Sequence, residues 1–310
     1  MNPRLQEVII ELSYNCNLSC AMCGFGKHVN PFKKDKFMSF EKYRQILNQL
    51  ANKTSTIRLN GRGESTIHPQ FVEIVEFTKS SFPHLRINLF SNFSFRNAKI
   101  LKTLIENEVQ LFVSLDSTDT DELQQLRRGA KPSYIDSNLK DLATIETRPF
   151  IIFTIQEENL HRILDIAHFA HKYNCHIIYN TIRRDEGIDT FVENVRLNKS
   201  SIIDQFEMVN QLYTSSDLKY LCPDQLAGEP LPLTSQTKTH GTLSACPALQ
   251  TELCILYDGT ITPCNMFNPY AYGNIFHKSF EDLWNGEKRR SFLESHKAHY
   301  YCKNCSNLVA

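Results

Sequence analysis

Three cysteines stand within eight residues near the amino end: Cys16, Cys20 and Cys23, in the stretch Glu11-Leu-Ser-Tyr-Asn-Cys-Asn-Leu-Ser-Cys-Ala-Met-Cys23. The spacing is Cys-x3-Cys-x2-Cys. Three thiolates from one tight loop can hold three irons of a [4Fe–4S] cluster and leave the fourth iron without a protein ligand. An iron left open in this way can bind a small chelating molecule, so the spacing points to chemistry rather than electron storage alone. The competing readings are zinc and buried free thiols. Zinc usually takes four protein ligands, and no fourth ligand lies near the trio in sequence.

A second set of thiols lies at the other end of the chain. Cys246 and Cys264 are followed by Cys302-x2-Cys305. Four thiolates leave no iron open to substrate, and they suit zinc as well as an iron–sulfur cluster. Of the other cysteines, Cys175 opens an expected strand and reads as core. Cys222 and Cys254 read by themselves as buried bystanders. His161, His168 and His171 lie on one helical segment whose apolar face is needed for packing, so they read as solvated.

The elements that position these groups alternate. Val8-Ile9-Ile10 reads as a first strand, followed by Thr56 to Asn60, Leu85 to Phe90, Gln110 to Leu115, Phe150 to Ile155 and His176 to Thr181. Helical patterns run between them at Gln70 to Ser80, Ala98 to Asn107, Tyr134 to Ile145 and Leu160 to Tyr173. An earlier helix carries Tyr43, Ile46, Leu47 and Leu50 on one face, with Ser39 as its cap. Such alternation predicts an α/β fold with a parallel sheet and right-handed crossovers, here a partial, TIM-like (β/α)6 barrel over residues 1–182. Loops at the carboxyl ends of barrel strands build the site, and the cysteine triplet directly follows the first strand. Residues 183–245 lose the alternation and read as a loop-rich bridge with one helix near Ile202 to Leu212. Residues 246–310 read as a small β-hairpin and helix domain, with Asp258-Gly259 as the hairpin turn and helices near Phe280 to Trp284 and Glu287 to His296.

Composition sets outer limits. The 310 residues carry 34 basic and 34 acidic side chains, which gives no electrostatic reason to expect nucleic acid or an anionic membrane surface. No apolar run approaches the ~20 residues needed to cross a bilayer, and the amino end lacks an apolar secretion core. Ten cysteines in such a chain fit metal ligands in a reducing cytoplasm better than disulfides.

The cysteine triplet and the motifs after it resemble the radical S-adenosylmethionine (radical SAM) superfamily. Asn60-Gly61-Arg62-Gly63-Glu64 ends the second strand and resembles the family's Gly-Gly-Glu segment, which contacts the methionine amino group; Gly61, Gly63 and Glu64 are carried over on that basis. Two glycines there let backbone approach a ligand closely. Asn92, Ser114 and Asp116 end the third and fourth strands, where the family meets the ribose or the methionine carboxylate. Arg127 and Arg128 match the family's arginine after strand four, and the sequence does not choose between them. Arg62 stands between glycines that are adjacent in the family. Met22 stands where the family commonly has an aromatic residue, so Met22 or Phe25 is expected to pack the adenine.

Cys-x12-Gly-x4-Cys, Gly273-Asn274-Ile275, the Asp-Leu-Trp284 helix and the Cys-x2-Cys end resemble the SPASM/twitch extension of these enzymes. The cysteine count supports one auxiliary [4Fe–4S] cluster on Cys246, Cys264, Cys302 and Cys305, with Cys254 able to substitute. The resemblance implies that a reduced cluster cleaves S-adenosylmethionine to a 5′-deoxyadenosyl radical, which abstracts a substrate hydrogen atom. It also implies an electron donor such as flavodoxin or ferredoxin. A resemblance to the radical epimerases among these enzymes makes Cys222 and Cys254 candidate hydrogen-atom donors, if either thiol lies near the substrate radical. Because the barrel begins within ten residues, no leader-gripping domain is expected. That tilts the expectation toward oxidising or epimerising a carbohydrate-like small molecule. Maturation of a ribosomally made peptide is the alternative, and a non-enzymatic zinc or iron–sulfur module the remote one.

Overall fold

The computed structural model describes residues 5–23, 36–143, 145–182, 188–223, 225–226, 229–231, 246, 248–265, 270–299 and 302. Strands β1 (Glu7–Ile10), β2 (Thr56–Leu59), β3 (Arg86–Ser91), β4 (Gln110–Ser114), β5 (Phe150–Ile155) and β6 (His176–Thr181) lie side by side in chain order, all parallel. Helices α1 (Phe40–Leu50), α2 (Phe71–Ser81), α3 (Ala98–Glu106), α4 (Thr120–Leu126), α5 (Pro132–Leu142) and α6 (Ile163–Lys172) run between them. Ser39 caps α1, its Oγ accepting from the Lys42 N–H at 3.3 Å, and Tyr43, Ile46, Leu47 and Leu50 are buried. The strand positions are those the alternation of apolar runs predicts.

Period-two alternation gives the sheet two unlike faces. Ile57, Leu59, Ile87, Leu89, Leu111, Val113, Ile151 and Phe153 share one core with the helices. Arg58, Asn88, Phe90, Phe112, Ser114 and Thr154 are only partly buried on the opposite, lumen face. There the rings of Phe90, Phe112 and Phe150 stack across three strands, with centroids 4.4 Å and 5.1 Å apart and planes within 13°.

The sheet extends at both edges. A two-residue strand, β7 (Tyr220–Leu221), adds parallel to β6. At the other edge β8 (Glu252–Ile255) lies parallel to β1 in the register Glu7↔Glu252 to Ile10↔Ile255. Strands β9 (Thr260–Thr262) and β10 (Gly273–Asn274) follow antiparallel. The order is therefore β10-β9-β8-β1-β2-β3-β4-β5-β6-β7, and the edge strands β7 and β10 do not pair with each other among the described residues. The C-terminal hairpin is thus built directly onto the first barrel strand. Its turn requires Gly259, which has φ +89° and whose added Cβ would lie 2.2 Å from the Phe276 ring.

Between β6 and β7 the structure has two helices, α7 (Ile188–Leu197) and α8 (Lys199–Thr214), where the sequence suggests one. Among the described side chains of α7, Phe191 and Val195 are fully buried, a stripe too short to stand out in a polar segment. The Ser/Thr-rich run of the bridge lies outside the described residues. Helices α9 (Ala248–Thr251), α10 (Phe280–Trp284) and α11 (Glu287–Ser295) complete the C-terminal part. No helix among the described residues is long and apolar enough to cross a membrane. As expected, Cys175 is fully buried, and His168 lies exposed on α6.

Candidate active site

The cysteine loop leaves β1 and turns at once. Ser13 Oγ donates to the Asn15 carbonyl and accepts from the Asn15 N–H, both at 2.9 Å. Further on, Ser19–Cys20 pairs antiparallel with Arg127–Arg128, which sets Cys20 opposite Arg127. Burial pushes the Cys16 thiol up to about 12, with the charges of Glu64, Cys20 and Cys23 adding to it. The Cys20 thiol is raised for the same first reason, against the pull of Arg127. The three thiols therefore lie within electrostatic reach of one another. Yet no three His, Cys, Asp or Glu side chains among the described residues converge as a site for a single ion. Three thiolates from one loop suit an iron–sulfur cluster by ligand type. Loading it releases protons, because the ligands must be thiolates.

The turn after β2 packs on this loop. Glu64 N–H donates to the Asn15 carbonyl at 2.8 Å. A Cβ on Gly63 would fall 2.3 Å from that same oxygen and 2.4 Å from the Ser13 carbonyl; one on Gly61 would fall 2.4 Å from Cγ of Glu11. Both glycines are thus required by packing within the protein, a demand separate from any ligand. Arg62 turns inward to Glu11, which is 1% exposed, and its guanidinium lies 4.2 Å from the Tyr14 ring centroid.

Glu64 is the buried centre of a small network. Its Oε1 accepts from Thr66 N–H, Thr66 Oγ1 and Ser91 Oγ at 3.1, 2.8 and 2.9 Å, and its Oε2 from Asn92 N–H at 2.8 Å. Burial raises its carboxyl, against these four bonds. Asn92 then reaches the cysteine loop: its Nδ2 donates to Asn17 Oδ1 at 2.8 Å and lies 3.9 Å from Cys16 Sγ. Phe93, next in line, is fully buried with φ +56°, an unusual conformation for a bulky residue. The Ser91 hydroxyl accepts its N–H at 3.0 Å, and Asn92 Oδ1 accepts from Ser94 N–H at 2.9 Å, which holds the turn. Sequence reasoning singled out Asn92 but not Phe93, whose signal is purely conformational, nor Glu11, whose partner lies 51 residues away.

At the end of β4, Asp116 is fully buried; its Oδ2 takes Arg127 Nε at 2.6 Å and its Oδ1 the Thr154 N–H at 2.9 Å. Burial works against the Arg127 charge, but Asp116 and the nearby Cys20 and Cys16 outweigh it, so the net shift is upward. Arg128 points to solvent. The structure therefore separates two residues the sequence left equal. Ser114 is half-buried on the lumen face, and Met22 packs against the core beside Cys20. Phe25 lies outside the described residues.

Of the candidate thiols outside the triplet, Cys254 sits in register with Ile9 and packs with Ile9 and Leu256 in a small cluster of its own. Burial pushes it up to about 12, and Glu11, Cys264 and Arg58 are within electrostatic reach. Cys222 belongs instead to the helix-side core and lies near Tyr179. Cys246 is buried at the start of α9, and Cys264 and Cys302 are half-buried. Both of these last two lie close enough to Tyr272 to act on its phenol. Cys305 lies outside the described residues.

Comparison with known proteins fits this geometry. The family model of the radical SAM superfamily matches residues 10–170, and that of SPASM, an iron–sulfur cluster-binding domain, matches residues 246–306. The chain is 23% identical to the tungsten-containing aldehyde ferredoxin oxidoreductase cofactor-modifying protein of Pyrococcus furiosus, over 97% of this chain and 87% of that protein. SuiB of Streptococcus suis, solved with S-adenosylmethionine, superposes with a TM-score of 0.71 at 17% identity, covering 98% of this chain and 72% of that one. The enzyme anSMEcpe, solved with AdoMet, gives a TM-score of 0.72 at 16% identity, covering 97% and 86%. A radical SAM domain implies a [4Fe–4S] cluster with S-adenosylmethionine, and a SPASM domain implies auxiliary iron–sulfur clusters. Its cysteine loop, the turns packed on it and a family match over just over half its length make this chain a member of the radical SAM superfamily with a SPASM domain.

Proposed function

We propose that this enzyme abstracts a hydrogen atom from a peptide substrate held over the lumen face of the sheet. The observation that carries this reading is the character of that face. Three stacked phenylalanine rings line it, and its Arg58 is held by Glu7 and Glu252 at 3.0 Å each. Arg127 is likewise taken by Asp116. Both guanidiniums already carry carboxylate partners, whereas stacked rings suit an uncharged peptide segment. Support comes also from SuiB, which has been solved with its precursor peptide SuiA, and anSMEcpe, solved with the Cp18Cys peptide.

With cluster and nucleotide bound, the chemistry supplied is one-electron cleavage of S-adenosylmethionine to a 5′-deoxyadenosyl radical that takes the hydrogen atom. Cys16, Cys20 and Cys23 would hold the cluster. Ser114 would meet the nucleotide from the lumen, and Met22 would pack its adenine. Gly61 and Gly63 present the backbone of the second turn. Glu64, whose oxygens are already occupied, acts by positioning Asn92 and the loop, and Arg127 rather than Arg128 places positive charge beside the site. Cys246, Cys264, Cys302 and Cys305 would hold one auxiliary cluster. A flavodoxin or ferredoxin would supply the electron.

A second reading, oxidation or epimerisation of a small molecule, is favoured by the Pyrococcus furiosus relative, which is named for modifying a cofactor. Cys254, protonated and beside β1, is the better placed of the two thiols to quench a radical in the epimerising case. The test is anaerobic reconstitution, reduction with dithionite and measurement of 5′-deoxyadenosine. Deuterium carried into the deoxyadenosine from a labelled peptide supports the first reading, and from a labelled small molecule the second. No cleavage of S-adenosylmethionine at all would defeat both.

A further inference from the structure

The C-terminal part holds a buried hydroxyl without a partner among the described residues. Tyr272 is 7% exposed, and none of the described residues bonds its oxygen. Buried polar groups in folded proteins are almost always paired, so an orphan beside ligand-forming residues calls for a partner that the described residues do not supply. Its surroundings indicate which. Tyr272 lies within electrostatic reach of Cys264 and Cys302, two of the cysteines within the SPASM match. Arg289, too, is within electrostatic reach of the phenol, and is itself buried and tied to the Trp284 and Leu249 carbonyls at 3.3 and 2.8 Å. Arg289 is also stacked 3.7 Å over the Trp284 ring. No carboxylate contact to this guanidinium is present among the described residues; the protein fixes a positive charge there with neutral groups. Phe292, whose ring lies 6.1 Å from that of Tyr272, fills the adjoining space.

We propose that Tyr272 donates a hydrogen bond to a sulfur of the auxiliary iron–sulfur cluster, with Arg289 as a fixed positive charge beside it, and that together they make this cluster easier to reduce. The proposal rests on the auxiliary cluster being held by the C-terminal cysteines. Reduction adds negative charge to the cluster sulfurs, so a donor and a cation nearby stabilise the reduced form and raise the potential. A cluster tuned in this way is the better acceptor for an electron leaving a substrate radical. Tyr272 is a positioning and tuning residue, not one that touches substrate.

The test uses the full-length chain, reconstituted anaerobically, in a Cys16→Ala/Cys20→Ala/Cys23→Ala background that leaves only the auxiliary cluster. Tyr272→Phe, which removes one oxygen, is expected to shift the EPR-monitored reduction potential to a more negative value while iron and sulfide content stay unchanged. Arg289→Gln should shift it the same way, and Arg289→Lys should restore most of the difference. An unchanged potential in Tyr272→Phe with the cluster retained overturns the proposal. So does the absence of any exchangeable-proton coupling at the reduced auxiliary cluster of the otherwise unaltered protein in electron–nuclear double resonance, a result that holds whether or not Tyr272→Phe keeps its cluster. Zinc, or no iron and sulfide, on the C-terminal cysteines overturns the cluster reading itself and is distinguished from the other outcomes by metal analysis.

Discussion

Arg62 and Glu11 meet at two points, Nε to Oε2 at 2.8 Å and Nη2 to Oε1 at 2.7 Å, and the Arg62 N–H adds a third bond to Oε2 at 2.8 Å. Burial works against the arginine's charge, but Glu11 outweighs it and the net shift is upward. The pair clamps the end of β1 to the turn after β2, on either side of the cysteine loop. Arg62→Met strands a carboxylate that is 1% exposed, and we expect a loss of roughly 3–5 kcal/mol in urea unfolding. The double substitution Glu11→Gln/Arg62→Met should recover part of it. A loss under about 1 kcal/mol for Arg62→Met would show that the clamp carries little weight.

Gly63→Ala tests the packing of turn on loop. Its methyl group would press on two carbonyl oxygens of residues 13 and 15, neither of which is a flexible side-chain end. We expect a stability loss of about 1–3 kcal/mol, together with faster loss of iron from the first cluster on chelator challenge. Unchanged iron retention would separate this contact from the cysteine loop's geometry.

Asn92 ties β3 to the loop through Asn17 and the Cys16 sulfur. Asn92→Ala should weaken retention of the first cluster by about 10–100-fold, the usual effect of removing a group that orients a metal ligand. Iron content measured against a chelator series checks this. The auxiliary cluster should be unaffected.

The two adjacent arginines should behave differently. Arg127→Met leaves the buried Asp116 unpaired and should cost about 3–5 kcal/mol. Arg128→Met, at an exposed position, should stay within about 0.5 kcal/mol. Equal effects in thermal unfolding would contradict the placement of Arg127 against Asp116.

His176 gives a pH signature. Burial, then the charges of Lys219 and Arg148, lower it to about 4 from an ordinary 6.5. The unfolded chain therefore takes up a proton below pH 6.5 that the folded one refuses until about pH 4. Stability should fall as pH drops through that window, and His176→Asn should flatten the slope. Parallel slopes for both proteins would rule out His176 as the source.

Much of this was legible in the chain. The triplet needs no fold to be recognised, because eight residues cannot separate three thiols far. The six strands show as apolar runs, and Ser39 and Asp258-Gly259 mark a cap and a turn by local chemistry alone. Helix α7 escaped because Phe191 and Val195, the fully buried side chains among those described, make a weak periodic signal.

What only the tertiary structure decided was where long-range partners fall. Whether Arg127 or Arg128 turns inward depends on the register of Ser19–Cys20 against a strand more than a hundred residues away. That Gly63 serves a neighbouring loop, and that Glu64 is consumed by Thr66, Ser91 and Asn92, appears only when three strand ends meet. The hairpin's attachment to β1 pairs Glu7 with Glu252. Residue type and spacing fix which chemistry is available, since they act over a few bonds. Contacts between distant segments fix which side chain delivers it, since only the folded sheet brings them within hydrogen-bonding distance.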